Sequence, residues 1–142
     1  MKMKYLVATH GKLASGFRSS IDILTGKGAN LATIDAYVDD SDYTEKIQAF
    51  IASVADDEQA LIFTDLFGGS VNQKVVTQLV PLEKDNIFVI SNSNLAIILS
   101  LMMLPEGMKL TPTVINNTIA ECQVQLVETS LPEDEQDDDF FA

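Results

Sequence analysis

His10 and Asp65 are the two residues of this sequence best placed to do chemistry together. His10, the only histidine, ends the apolar run Lys4-Tyr5-Leu6-Val7-Ala8-Thr9 and precedes Gly11 and an amphipathic helix pattern, so it belongs to a strand-to-helix turn. Asp65 occupies the same place after a second apolar run, Ala60-Leu61-Ile62-Phe63-Thr64, and opens the stretch Asp65-Leu66-Phe67-Gly68-Gly69-Ser70. In an open α/β sheet such turns line the carboxyl edge, where ligands bind. If the two strands are neighbours, imidazole and carboxylate meet there. The carboxylate would fix the tautomer and leave the other ring nitrogen as nucleophile. The amides of Gly68 and Gly69 and the hydroxyl of Ser70 would stabilise anionic oxygens. Such a set suits the carriage of a phosphoryl group.

Either residue alone admits a plainer reading: a lone histidine is often only hydrogen-bonded into its surroundings, and Asp65 could simply cap the helix that follows Gly69. Their matching strand-end positions favour the functional one. The glycines fit neither G-x-G-x-x-G nor G-x-x-x-x-G-K-[ST], which argues against a nucleotide, and no cofactor is expected. One histidine and one cysteine far apart supply no metal-ligand cluster. A Ser–His–Asp hydrolase built on Ser70 or Ser91 lacks the G-x-S-x-G elbow.

The elements that must position these residues alternate. After His10, Ala14, Phe17, Ile21 and Leu24 recur at helical spacing, and Gly26 with Gly28 ends that helix. Leu31 to Tyr37 reads as a second strand. Asp42 with Glu45 resembles a capping box before a helix whose apolar face is Tyr43, Ile47, Phe50, Ile51 and Val54; Asp56-Asp57-Glu58 closes it as a loop. Strand three is Ala60 to Thr64, followed by a helix with Val71, Val75, Val76 and Leu79 inward and a stop at Pro81. Asn86 to Ile90 is strand four. Ser91 to Asn94 offers caps for an apolar helix from Leu95 to Leu104, which Pro105 and Gly107 stop, and Thr111-Pro112 opens a last helix through about Glu121. Cys122-Gln123-Val124-Gln125-Leu126-Val127 alternates polar and apolar positions, the mark of an edge strand with one wet face. Four strand-then-helix units predict an α/β fold, an open three-layer parallel sheet with helices on both faces.

The 142 residues suit one domain, 1–130, and 46% hydrophobic content can furnish its core. An acidic, disordered tail is expected over 131–142. The formal charge of −12 argues against a nucleic-acid partner. Glu133 to Asp139 alone holds six carboxylates, so the body is only moderately acidic. No apolar run approaches the roughly 18 residues of a membrane span, and the basic start leads into a strand rather than a signal peptide. Together with a single cysteine, Cys122, read as a small core residue, this predicts a cytoplasmic protein.

Leu6-Val7-Ala8-Thr9-His10-Gly11, Phe63 to Ser70, and Val89-Ile90-Ser91-Asn92 leading to Asn94-Leu95 resemble, in order and spacing over about residues 1–130, the enzyme IIA domain of the mannose family of the bacterial phosphoenolpyruvate-dependent sugar phosphotransferase system. The resemblance implies a phosphocarrier that takes phosphate from HPr and hands it to a IIB component, which phosphorylates a sugar entering through membrane IIC and IID subunits. His10 matches the phosphorylated histidine, Asp65 its orienting carboxylate and Ser70 the hydroxyl near the phosphoryl group. It further implies a final antiparallel edge strand exchanged within a homodimer.

Two stretches depart from that pattern. Val71-Asn72-Gln73 stands where many members have Pro-Phe-Asn, and Asn94-Leu95-Ala96 where many have Asn-Leu-Pro; both concern the identity of the sugar rather than the phosphoryl chemistry. Alternative readings are the related phosphocarrier domain of a dihydroxyacetone kinase system and a non-catalytic regulatory module of the same fold, the latter opposed by the intact His10, Asp65 and Ser70.

Overall fold

In the computed structural model, residues 2–131 are described. Four strands, β1 (Lys2–His10), β2 (Leu31–Ala36), β3 (Glu58–Thr64) and β4 (Ile87–Ile90), form one sheet in the order β2-β1-β3-β4, parallel at every pairing. Between and after them run α1 (Leu13–Thr25), α2 (Thr44–Ser53), α3 (Ser70–Leu79), α4 (Leu95–Met102) and α5 (Pro112–Ala120).

The apolar runs of β1 and β3 are unbroken because both sheet faces are covered. Leu6, Ala8, Ala60 and Ile62 pack with Ile47 and Ile51 of α2 and Val71 and Val75 of α3. The alternate residues Val7, Leu61 and Phe63 pack with Ala14 and Ile21 of α1, Ile98 and Leu101 of α4 and Ile115 of α5. Phe63, fully buried at the centre of the sheet, is the residue whose truncation to alanine would cost most, about 3–5 kcal/mol. Cys122 is buried in the second of these layers, as a small core residue should be.

Several local expectations are corrected. Leu24 is exposed: it lies in the last turn of α1, beyond the reach of the sheet that covers Ala14 and Ile21. Val76 is 37% exposed rather than buried, and Asn72 takes a buried place on α3, its Oδ1 accepting a 2.7 Å bond from the buried Thr64 hydroxyl. Glu58 begins β3 rather than closing a loop, and its Oε1 accepts from the Ala55 amide. Asp42 accepts from the amide and hydroxyl of Thr44 and makes a local turn, so it forms no capping box with Glu45. Elsewhere Asn94 caps α4 through Ile97 N–H, and Thr111 caps α5 through Val114 N–H, with Pro112 in its first turn.

The final antiparallel edge strand is not seen among the described residues. Cys122 to Val127 pairs with no strand among the described residues, and Val124, Leu126 and Val127 stand 92%, 100% and 74% exposed. An alternating segment becomes a strand only when a ladder partner takes up its N–H and C=O groups. The acidic tail expected from residue 131 lies, apart from Leu131, outside the described residues. Among the described residues, no helix is long and apolar enough to cross a membrane.

Candidate functional site

β1 and β3 are neighbours, with Ala8 opposite Thr64, so the residues following each strand emerge side by side. β1 leads to β2 on one side and has β3 on its other side, which makes the crevice above the β1 and β3 ends the point where strand order reverses, the usual place for a ligand in such sheets.

His10 closes β1 and Gly11 turns the chain away, with φ +60 and its N–H on Ala36 O at 2.8 Å. The α1 start is then fixed from two sides: Thr9 Oγ1 accepts from Ala14 N–H, and Asp35 accepts from the amide and hydroxyl of Ser15. Asp65 follows β3. One of its oxygens, Oδ2, accepts both the His10 backbone N–H and the ring Nδ1–H, each at 2.8 Å; the other, Oδ1, accepts Leu66 N–H at 2.9 Å. Asp65 therefore caps its own loop and holds His10, and does not cap α3. Its side chain is 10% exposed, that of His10 42%. Partial burial alone would raise the Asp65 carboxyl, but the three donors outweigh it and hold the group below the usual aspartate value. Asp65 is thus a carboxylate, and it assigns the ring proton to Nδ1.

Nε2 is then the free nitrogen, and Ser70 Oγ lies 3.3 Å from it. Ser70 is the first residue of α3, and Gly69, its N-cap, offers no capping side chain. The helix amides and the positive end of the helix dipole are left for an anion at Nε2. The loop between Asp65 and Ser70 is tied down by Phe67 N–H to Asn92 Oδ1 at 2.8 Å and by Gln73 Nε2 to Gly68 O. Gly68 takes φ +74; at Gly69 a Cβ would come within 3.1 Å of Leu66 Cβ and 3.8 Å of His10 Cε1. Both glycines are needed, one for its backbone angle and one for its lack of bulk.

All five residues expected at the site, His10, Asp65, Gly68, Gly69 and Ser70, are therefore brought together. Tyr37 was not foreseen, since the sequence places it only as the last residue of a strand. It instead follows β2 in a left-handed conformation, φ +67, at a cost of about 1–2 kcal/mol for an L-residue. Its ring stacks on the imidazole, centroids 5.3 Å apart and planes at 29°. Its hydroxyl bonds Ser70 Oγ at 2.8 Å and meets the Tyr43 hydroxyl at 3.3 Å. Hydrogen bonding with Ser70 and then Tyr43 draws the Tyr37 phenol below its ordinary value, whereas burial, then the bond to Tyr37, pushes Tyr43 up. The available signal was an aromatic residue just past a strand's carboxyl end.

The family described as EIIA-man, PTS system fructose IIA component, matches the chain over residues 4–119. Among solved structures, the chain is similar to a phosphoenolpyruvate-dependent sugar phosphotransferase system permease from Klebsiella pneumoniae subsp. pneumoniae MGH 78578, with 29% identity, TM-score 0.73, and coverage of 84% of this chain and 85% of that one. The fold is also that of phosphotransferase system component EIIA from Streptococcus agalactiae (20% identity, TM-score 0.72, 84% and 92% covered). It is likewise that of the mannose/sorbose specific IIA subunit from Enterococcus faecalis (20%, 0.70, 94% and 98%). Comparison with curated protein sequences gives no match. With a family match spanning most of its length, the chain belongs to the EIIA-man family of phosphotransferase-system IIA components.

Proposed function

We propose that this protein is a cytoplasmic phosphocarrier that accepts a phosphoryl group on Nε2 of His10 from phosphorylated HPr and passes it to a IIB component, for uptake and phosphorylation of a sugar through membrane IIC and IID subunits. The observation that carries the reading is the arrangement of the imidazole: Nδ1 is committed to Asp65 at 2.8 Å, and Nε2 points into a site bounded by Ser70 and the α3 N-terminus.

In the transfer, the Nε2 lone pair attacks phosphorus, the bond between phosphorus and the donor's imidazole breaks, and the donor leaves with that electron pair. The cation developing on the His10 ring is stabilised by the Asp65 carboxylate. Ser70 and the helix amides meet the phosphoryl oxygens. Hand-over to the IIB component is the same step with His10 as the leaving group. Leu13, Leu66 and Phe67, the last 77% exposed, lie around the turn and offer an apolar rim of the kind that excludes water between two carriers.

The reading includes a homodimer. Phe88 and Val89 of the edge strand β4, with Ile115 and Ile119 of α5, line an open groove of about 320 Å³. The exposed alternating segment 123–127 of a second copy suits it as an antiparallel edge strand, which would satisfy both sets of backbone groups.

Incubation with phosphoenolpyruvate, enzyme I and HPr tests the function. One acid-labile phosphate is expected on the wild type and none on His10→Ala; label that persists in His10→Ala would overturn it.

A further inference from the structure

We propose that Tyr37 is a positioning residue of the phosphoryl site, its ring bracing the His10 imidazole and its hydroxyl aiming that of Ser70. The inference rests on His10 as the phosphoryl acceptor. Asp65 fixes one edge of the imidazole and leaves rotation about the ring's outer side to be restrained by something else. Tyr37 stacks on that ring at 5.3 Å, and it does so from the turn that follows β2, in a left-handed backbone conformation that costs an L-residue free energy and that a glycine there would adopt freely. Strain held beside a reactive group is the expected mark of a side chain kept for its position.

The hydroxyls form a chain with one consistent direction. In the neutral ring that attacks, Nδ1 holds the proton, so Ser70 donates to Nε2; with its one proton so placed, Ser70 accepts from Tyr37, and Tyr37 in turn from Tyr43. Lys74 sits 4.9 Å over the Tyr43 ring and holds the far end of the chain, itself paired with Asp42 at 3.6 Å. With Tyr37 donating to Ser70 Oγ, the Ser70 proton has one place to point, toward Nε2 and whatever Nε2 carries. Without it, the hydroxyl rotates among several acceptors and must be ordered again in each transfer. Tyr37 therefore acts through Ser70 and through the His10 ring.

The test is a double-mutant cycle on the rate of phosphoryl transfer from phosphorylated HPr, using Tyr37→Phe, Ser70→Ala and the pair in the full chain. Tyr37→Phe keeps the ring and loses the hydroxyl, so a fall of about fivefold is expected, the effect of one hydrogen bond. In the Ser70→Ala background the same change should have no further effect. Tyr37→Gly, which removes the ring and relieves the backbone, should shift the His10 ring-proton resonances of the unphosphorylated protein by loss of the stacked aromatic, whereas Tyr37→Phe should leave them in place. Equal rates in wild type and Tyr37→Phe, or a full additive loss in the Ser70→Ala background, would overturn the hydroxyl's role; unmoved ring-proton resonances in Tyr37→Gly would overturn the bracing. A wild type that accepts no phosphate, with the resonance shifts intact, would refute the carrier reading and with it the role in transfer.

Discussion

A single oxygen of Asp65 receives both the backbone N–H and the ring Nδ1–H of His10, each at 2.8 Å. The backbone bond ties the carboxylate to the end of β1, and the ring bond then sets the imidazole relative to that fixed point. The tautomer and the inner edge of the ring are thus fixed by one group, whose removal should affect transfer far more than folding.

Asp65→Asn should lower the rate of phosphoryl transfer to His10 by roughly 10²-fold or more, by analogy with loss of the orienting carboxylate in a triad. Asp65→Ala should do the same and also destabilise the protein by about 1–3 kcal/mol, because two backbone donors lose their acceptor. Quench-flow transfer kinetics beside urea unfolding separate the two effects. Unchanged kinetics in a folded variant would contradict the pairing.

The same hydrogen bonds predict a pH dependence of stability. The Asp65 carboxyl lies below its unfolded value, so its contribution is complete above the unfolded pKa of about 3.9 and is lost as pH falls through the lower folded value. Urea unfolding at pH 5, 4 and 3 should show stability falling with pH, and Asp65→Asn should make that fall shallower. The slope should not vanish, since Asp39, Asp42 and Glu58 are also held low by hydrogen bonds.

Gly69→Ala should both destabilise the loop and slow transfer. The added methyl would lie 3.1 Å from Leu66 Cβ and 3.2 Å from Leu66 O, so Leu66 and the neighbouring Asp65 must shift. Overpacking of this sort costs about 1–3 kcal/mol. Thermal melts should register the loss, and transfer should slow by more than the unfolded fraction explains.

Much of this site was legible because its residues terminate buried strands. An uninterrupted apolar run announces a strand covered on both faces, and the polar residue that ends it must emerge at the sheet edge; His10 and Asp65 are such residues, and the pairing of β1 with β3 brings them together. Tyr37 was illegible because its place depends on a left-handed turn that no glycine or asparagine marks. Asn72 was missed because periodicity counts apolar residues only, and a buried amide satisfied by Thr64 leaves no such trace. The segment 122–127 shows the converse: its alternation is evident, but among the described residues it has no ladder partner and forms no strand.

Removal of that segment should reveal its purpose. A chain ending at Ala120 should be monomeric and prone to aggregate through the β4 edge, whereas one ending at Leu131 should remain dimeric and accept phosphate. Sedimentation at micromolar concentration measures this directly, and a monomeric full-length protein would contradict the exchanged strand.

The central claim is that Nε2 of His10 carries the phosphoryl group. Because the chain holds one histidine, labelling with ¹⁵N-histidine isolates that ring's two nitrogens. After incubation with phosphoenolpyruvate, enzyme I and HPr, ¹⁵N and ³¹P spectra should show phosphorus coupled to Nε2, with the proton retained on Nδ1. Phosphorus on Nδ1, or a ring unaltered by the full donor system, would contradict it.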